Sequence, residues 1–429
     1  MFSFGDRKLS MESYKGVRDF YPEDKALQKR LFATLRRTVE SWGYEEYDAS
    51  PLEPSELYKQ KTSDEIVREQ TYTFVDRGGR EVTLRPEMTP TVARMISRRV
   101  QELPFPARWY SLPNLFRYEK PQKGRLREHY QLNVDLFGVS GLAADSEIIF
   151  VASDVLRSFG AKPEDFVIKL NSRSLLDDLL GKLDIKSAYK QPLCRILDKK
   201  EKVSDEDFKK MLSELLGEVQ AKSFAEMLYY GEALLTMLTD SPSAKYLNEL
   251  IDTLRSAGVQ NVVFSPTLTR GFDYYTGMVF EVFDTNKENP RSLFGGGRYD
   301  NLTENFIKTS VPAVGFGMGD VTLLDFLNAH GLKPELQSAV DLWLAVAPET
   351  DQRKVYEIAK RLREGGLRVG VDLSGKKLAD QLKSLDKRSA NFVAVVGASE
   401  ISSNKFVLRN VKTREEKEVS LEEIIQCAK

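Results

Sequence analysis

The chain has 429 residues, enough for two to four domains, and its 41% hydrophobic and 30% charged residues are typical of a globular protein. Its 63 basic and 64 acidic residues nearly cancel, so a basic surface can only be a local patch. Two cysteines and two histidines argue against a disulfide framework and a histidine-rich metal site. No apolar run reaches the length of a membrane helix, and the cytoplasm is the expected compartment.

The first hundred residues predict helices alternating with short strands. Helical periodicity extends from Glu23 to Trp42, and a strand-like run, Glu45–Asp48, leads to Pro51. Another strand is predicted at Glu81–Leu84 and a helix at Thr91–Arg99.

Residues 105–138 predict two strands around a charged loop. The first strand is expected from about Trp109 to Glu119, and the second is HYQLNVDLFG. The intervening loop is rich in arginine and lysine around Gly124, and such side chains can grip phosphates.

Alternation along these two strands predicts a polar sheet face. In the second strand Gln131, Asn133 and Asp135 share a face, opposite three apolar residues. In the first strand Arg117 and Glu119 share a face in the same way. Periodicity alone does not distinguish a binding face from a solvated one, but the basic loop favours a site.

The rest of the chain predicts a helical insertion and a separate C-terminal domain. Residues 175–258 are helical in pattern, and strands return from Val262 to Asp284. A boundary falls near residues 333–338, after which strands and helices alternate as in a small α/β domain with a mixed sheet.

Three further segments combine charge, aromatic rings and glycine: TLRPEMTP (83–90), TRGFDYYTGMVFE (269–281) and FGGGRYD (294–300). A glycine run lets the backbone approach a ligand closely, although it is not a P-loop because no Lys-Ser/Thr follows. Each segment alone is as compatible with an ordinary turn as with a site.

Taken in order, these segments resemble the class II aminoacyl-tRNA synthetases, and among them the histidyl-tRNA synthetases. FRYEKPQKGRLREHYQLNVDLFG (116–138) resembles motif 2, and RGFDYYTG (270–277) resembles the segment peculiar to the histidine enzymes. Pro51 and its preceding helix resemble motif 1, PAVGFGMG (312–319) the start of motif 3, and LRVGVDLSGKKLADQL (367–382) the anticodon-binding domain.

The resemblance implies an α+β fold, with an antiparallel sheet flanked by helices, a helical insertion and a C-terminal α/β anticodon-binding domain. The expected divisions are 1–174 and 259–333 for the two parts of the catalytic domain, 175–258 for the insertion and 338–429 for the anticodon-binding domain. It also implies a homodimer that uses ATP and Mg²⁺ to activate L-histidine and transfers it to tRNA(His).

The resemblance also assigns residues to roles. Arg117 and Arg270 are expected to bind the α-phosphate, and Glu119, Arg125 and Arg298 to complete the ATP site. The histidine substrate is expected to contact a set of polar and aromatic residues: Glu87, Gln131, Asp135, Arg270, Tyr274 and Tyr275. Gln122 and Arg127 are candidates for the tRNA acceptor end. We expect no protein-bound metal site.

One position departs from the family pattern. Motif 3 normally carries an arginine that stacks on adenine, whereas Val321 and Thr322 stand where the family has Glu and Arg. Arg298 and Arg94 are the candidate replacements. The departure leaves open a degenerate regulatory paralogue of histidine biosynthesis, although such paralogues usually lose Arg270 and the C-terminal domain. A class II synthetase for another amino acid and a plain RNA-binding protein are weaker alternatives.

Overall fold

The computed structural model describes residues 10–59, 70–120, 122, 124–200, 203–268, 274–335, 338–385 and 390–428. The chain forms two compact units, the first containing residues 1–20 and 30–334 and the second residues 21–29 and 335–429. No helix in these described ranges combines the length and apolarity that a membrane crossing needs.

The strands of the first unit are, in chain order, β1 (Glu45–Glu46), β2 (Leu52–Pro54), β3 (Tyr72–Val75), β4 (Glu81–Leu84), β5 (Ala107–Ser111), β6 (Asn114–Phe116), β7 (Glu128–Phe137), β8 (Phe166–Ser172), β9 (Val262–Phe264), β10 (Met278–Asp284), β11 (Ser292–Arg298) and β12 (Ala313–Gly319). Nine of them form one sheet in the order β1–β5–β7–β12–β11–β10–β8–β9, with β6 paired to β7.

The large sheet is antiparallel through its centre, and only the edge pairs β1/β5 and β8/β9 run parallel. A separate sheet contains β2, β4 and β3. The helices of this part of the chain are α1 (Pro22–Ser41), α2 (Glu56–Lys59), α3 (Thr89–Arg98), α4 (Leu142–Arg157) and, after the insertion, α11 (Asp320–Ala329).

Strand β7 shows why the sheet forms. Leu132, Val134 and Leu136 alternate along it and are buried on the face where α4 packs. Burying each such side chain contributes about 1.5–3 kcal/mol. The opposite face carries the polar residues of the strand, so the predicted division into an apolar and a polar face is present.

The strand expected from Trp109 to Glu119 is broken. It consists of β5 and β6 with Pro113 between them, because proline has no N–H to donate to the neighbouring strand. Arg117 and Glu119 therefore lie beyond the end of β6, and the Glu119 N–H donates to the Arg117 carbonyl at 2.7 Å. Their predicted alternation along a strand was wrong.

Between β8 and β9 the described residues form six α-helices: α5 (Arg173–Lys182), α6 (Lys190–Leu197), α7 (Asp205–Leu216), α8 (Glu218–Tyr229), α9 (Ala233–Met237) and α10 (Pro242–Ser256). Apolar residues from α5 to α8 form their own buried cluster around Phe208 and Phe224. The side chain of Ser204 caps α7 by accepting from the Asp207 N–H at 3.1 Å.

The second unit contains β13 (Val340–Val346), β14 (Val369–Val371), β15 (Ala390–Val396), β16 (Phe406–Asn410) and β17 (Glu416–Val419), with α12 (Gln352–Glu364), α13 (Leu378–Leu385), α14 (Ala398–Ser403) and α15 (Leu421–Cys427). The strand order is β14–β13–β15–β16–β17. The first three strands are parallel and the last two antiparallel, so the predicted mixed sheet is confirmed. The predicted fold class is confirmed as well, with parallel pairs added at the edges of the large sheet.

Candidate active site

A cleft with an empty volume of about 1180 Å³ lies on the polar face of the large sheet. Its floor is formed by β7 and β12, and the strand alternation points Gln131, Asn133 and Asp135 into it. Residues from the loops around 87, 117–119, 124–126 and 274–275 complete the walls. The cleft therefore gathers side chains from stretches that are far apart in sequence.

Glycines on β12 make room for the polar side chains of β7. Gly317 pairs with Asn133 and Gly315 with Asp135. A Cβ on Gly317 would come within 1.8 Å of the Gln131 Nε2 atom, and one on Gly315 within 2.3 Å of the Asp135 Oδ1 atom. A larger residue at either position would force these side chains out of place.

Asp135 lies at the inner end of the cleft and is fully buried. The hydroxyl of Tyr299 donates a hydrogen bond to its Oδ1 atom. Burial raises the pKa of Asp135 to about 7, and the hydrogen bond from Tyr299 acts in the opposite direction. Within the described part of the chain, the Asp135 Oδ2 atom has no hydrogen-bond partner. It is thus an available acceptor for a polar ligand.

Glu87 and two tyrosines form the adjacent wall. Glu87 is buried, and Tyr274 donates to its Oε2 atom at 3.1 Å. The ring centroids of Tyr274 and Tyr275 lie 4.9 Å apart. Gly297 leaves space for the Tyr275 ring, since a Cβ there would approach it to 2.8 Å. The inner end of the cleft therefore combines carboxylates with aromatic rings.

The outer end is charged. The Arg117 Nε donates to the Pro86 carbonyl at 2.9 Å, which holds the guanidinium against the segment that carries Glu87. Glu119 lies beside Arg125, with its Oε2 atom 3.2 Å from the Arg125 Nη1 atom. Both arginines line the cleft although no strand carries them. Anions are the ligands that such an end can bind.

Several residues that line the cleft were given no role from the sequence, among them Tyr299, Glu281 and His129. Tyr299 was quoted only as part of the RYD segment, and Glu281 received no role, although both line the cleft. His129 lines it too, and burial and the nearby charge of Arg117 lower its pKa to about 3, so its imidazole is neutral. The sequence could have indicated His129, because it lies two residues before Gln131 on the same strand and therefore shares its face.

Other predicted residues lie elsewhere. The Arg298 guanidinium is buried against Asp145, with its Nε 2.9 Å from the Asp145 Oδ1 atom, and it does not line the cleft. Arg298 points from β11 to the α4 side of the sheet, because it neighbours Gly297, which faces the cleft. This placement argues against the predicted ATP contact.

The two candidates for the tRNA acceptor end lie around the outer rim. The Arg127 guanidinium carbon is 4.0 Å from the centroid of the Tyr118 ring. Gln122 is exposed and accepts a hydrogen bond from Arg291 at 3.0 Å. Arg270, the second predicted phosphate ligand, lies outside the described residues. Among those described, no group of three or more His, Cys, Asp or Glu side chains is arranged to hold a metal ion.

Comparisons with known proteins agree along the whole chain. A family model described as histidyl-tRNA synthetase matches residues 16–322, and one described as an anticodon binding domain matches residues 344–429. A histidine–tRNA ligase of Leptospira biflexa is 40% identical over 99% of this chain and 98% of its own length. The corresponding ligase of Thermoplasma volcanium is 36% identical, over 97% and 98%.

Solved structures share the fold. The histidyl-tRNA synthetase of a Nostoc species superposes with a TM-score of 0.82 at 23% identity, covering 98% of this chain and all of that one. The Staphylococcus aureus histidyl-tRNA synthetase gives a TM-score of 0.74 at 24% identity, covering 98% of this chain and 100% of its own. With a family model matched over most of its length and relatives matched from end to end, the chain belongs to the histidyl-tRNA synthetase family.

Proposed function

We propose that the chain is a histidine–tRNA ligase, which activates histidine with ATP and transfers it to tRNA(His). The observation that carries the proposal is the pairing, in one cleft, of a buried carboxylate-lined inner end with an arginine-lined outer end. An amino acid with a polar ring fits the first, and a triphosphate fits the second. The full-length relationship to histidine–tRNA ligases supports the same reading.

The inner end complements histidine group by group. Its ammonium group is assigned to the Glu87 carboxylate and the Gln131 amide, with Tyr274 holding Glu87 in place. Its imidazole is assigned to Asp135 and Tyr275, because Asp135 has an acceptor atom available. A site whose buried polar groups need partners rejects apolar analogues by on the order of 10⁴-fold.

The first chemical step is attack of the histidine carboxylate oxygen on the α-phosphorus of ATP. The bond from that phosphorus to the bridging oxygen of the β-phosphate breaks, giving histidyl-adenylate and pyrophosphate. Negative charge grows on the α-phosphate in the transition state, so fixed cations beside it lower the barrier. Arg117 takes this role from the outer end of the cleft, and Arg270 is proposed as its counterpart.

Glu119 and Arg125 are proposed to hold the rest of ATP. Mg²⁺, when bound, neutralises the phosphates and the departing pyrophosphate. Mg²⁺ is usually held by substrate phosphates together with only one or two carboxylates. Glu119 is the carboxylate of the outer end that would hold it.

The second step is attack of a terminal ribose hydroxyl of tRNA(His) on the carbonyl carbon of the adenylate, which releases AMP. Gln122 and Arg127 are proposed to contact the acceptor end, and residues 338–429 the anticodon. The proposed divisions of the chain are those of the sequence analysis, with 1–174 and 259–333 as the catalytic domain and 175–258 as the insertion. The proposed compartment is the cytoplasm.

The proposed assembly is a homodimer. The outer face of the small sheet exposes Leu52 and Phe74, which are 43% and 48% accessible, together with flanking apolar residues of β2, β3 and β4. Exposed apolar faces of this kind mark protein contacts. A second copy of the chain is the proposed occupant.

A regulatory subunit is the second candidate. A Bacillus halodurans structure titled as an ATP phosphoribosyltransferase regulatory subunit/histidyl-tRNA synthetase shares the fold with a TM-score of 0.76 at 23% identity, covering 91% of this chain and 100% of its own. The absence of an arginine at Thr322 is the feature that favours it. The family match at residues 344–429 favours the ligase.

Charging of tRNA(His) with radiolabelled histidine tests the proposal. The ligase attaches histidine in an ATP-dependent manner and leaves a non-cognate tRNA uncharged. A protein that charges no tRNA with histidine, but binds histidine, is the regulatory subunit.

A further inference from the structure

The position where the family carries its motif 3 arginine is occupied by a hydroxyl with local partners. The Thr322 Oγ1 atom donates to the Leu293 carbonyl at 2.7 Å, which links the start of α11 to the start of β11. Thr322 lines the outer end of the cleft. Threonine has no guanidinium to stack on an adenine ring. The positive charge at this position must therefore come from another residue or be missing.

Four other arginines hold carboxylates or an aromatic ring. Arg94 bonds Glu53 at 2.6 Å, Arg18 bonds Asp320 at 2.8 Å, and Arg298 is buried against Asp145. Arg127 stacks on Tyr118. Removing such side chains from carboxylates or rings would forfeit charge-assisted contacts. Among the described residues, Arg117 and Arg125 are then the only cations that line the cleft.

Arg291 and Thr322 both line a cavity next to the cleft. Arg291 precedes β11 by one residue and lies two residues before Leu293, the residue whose carbonyl Thr322 contacts. This second cavity opens from the outer end of the cleft. Four residues line both spaces: Gly124, Ser292, Leu293 and Thr322.

The Arg291 side chain reaches the loop that forms part of the cleft wall. Its Nη2 atom donates to the Gln122 Oε1 atom at 3.0 Å, so the side chain crosses from β11 to the loop that carries Arg125. Gly124, in the same loop, is so close to Thr322 that a Cβ on the glycine would lie 3.8 Å from the Thr322 Cγ2 atom. An adenine in the second cavity would contact both the loop and Arg291.

The backbone before Arg291 is anchored. The Asn289 Nδ2 atom donates to the Asp284 Oδ2 atom at 2.8 Å, and Pro290 restricts the φ angle next to Arg291. A guanidinium on such a turn loses less freedom on binding than one on an unrestrained loop.

We propose that Arg291 supplies, from the β10–β11 turn, the guanidinium that the family carries in motif 3, stacking on the adenine and contacting the terminal phosphates of ATP. The inference rests on the proposed function and adds to it a specific ATP-binding residue from an unrelated segment. If Arg291 carries the guanidinium, the threonine at position 322 reflects a change in the position of the charge and not a loss of activity.

The test compares Arg291→Ala with Lys287→Ala, which removes an exposed cation from the same turn. ATP affinity is measured by calorimetry without histidine, and the KM for ATP and for histidine by pyrophosphate exchange. Arg291→Ala should weaken ATP binding and raise the KM for ATP by about tenfold, with the KM for histidine unchanged. Lys287→Ala should change neither value.

A relocated arginine gives a stronger test. Adding Thr322→Arg to Arg291→Ala should recover most of the lost ATP affinity, because the guanidinium returns at the position where the family carries it. Equal ATP affinities for wild type and Arg291→Ala, in an enzyme that exchanges pyrophosphate with histidine, would overturn the inference and leave the proposed function intact. If the wild type shows no exchange, and the wild type and Arg291→Ala bind ATP equally well, both the inference and the proposed function are overturned.

Discussion

At the scale of single residues, Asp135 is the group on which recognition of the imidazole depends. Its carboxylate is buried, accepts from Tyr299 through Oδ1 and leaves Oδ2 available within the described chain. A pKa of about 7 places its ionisation within the physiological range. The strength of histidine binding should therefore follow the protonation state of this one group.

Tyr299→Phe should move the acid limb of the pH profile of kcat/KM for histidine to higher pH. The hydrogen bond from Tyr299 lowers the pKa of Asp135, so its loss raises that pKa, and more alkaline conditions are needed to ionise the carboxylate. Titration of free histidine is common to both proteins and cancels in the comparison. Pyrophosphate exchange measured across the pH range gives the profile.

Tyr274→Phe is the matched control, because it removes a hydroxyl that bonds Glu87 rather than Asp135. It should raise the KM for histidine without moving the acid limb. An acid limb that stays in place in Tyr299→Phe contradicts the assignment of the limb to Asp135.

Arg298 has a structural role that can be measured. Arg298→Met leaves Asp145 buried without its cation, and breaking a buried pair in this way costs about 3–5 kcal/mol of unfolding free energy. Arg36→Met, which breaks an exposed pair with Glu46, should cost less than about 1 kcal/mol. Urea unfolding of both variants tests this, and equal costs would show that the Arg298 pair is not structurally important.

At the scale of elements, the site depends on close approach between β7 and β12. Side chains of β7 occupy the space above the glycines of β12, so the strand pair works only while β12 lacks side chains at these positions. A change in the pairing register of β7 and β12 would therefore also disrupt the binding site. A change on β12 should act on histidine binding even though it adds no charge.

Gly317→Ala should raise the KM for histidine by about 100-fold, since its Cβ would displace the Gln131 amide from the ammonium site. Gly319→Ala is the control on the same strand, because its Cβ would meet nothing closer than the Thr322 Oγ1 atom at 3.6 Å. Exchange kinetics with varied histidine give both values. Equal KM values for the two variants would contradict the proposed position of Gln131.

Alternation along β7 was predictable from sequence because it is local, and so were most helices and strands. The break at Pro113 could also have been predicted, because proline has no N–H to donate to a neighbouring strand. Tyr299 was not predictable as a partner of Asp135, since 164 residues separate them and only the pairing of β11, β12 and β7 brings them together. The side of the sheet that Arg298 faces also follows from non-local pairing, so the sequence alone could not show that Arg298 lies against Asp145 and not in the cleft.

At the scale of the whole molecule, the proposed assembly is a dimer. The exposed apolar face of the small sheet is the surface that the proposed dimer would cover. Its residues come from β2, β3 and β4. A charge placed there should separate the two copies without disturbing the cleft.

Sedimentation velocity should give twice the 48.8 kDa mass of the chain for the wild type and a single-chain mass for Phe74→Asp. The aspartate would be buried without a partner in the dimer. Val75→Asp, on the opposite face of the same strand, should leave the dimer intact. A wild type that sediments as one chain, or two variants that behave alike, would contradict this interface.

The central claim is that one cleft joins histidine to the α-phosphate of ATP. Histidine-dependent exchange of labelled pyrophosphate into ATP measures that reaction without requiring tRNA. We expect exchange with histidine and none with threonine, proline, glycine or any other amino acid. Absence of exchange with histidine, or equal exchange with another amino acid, would contradict it.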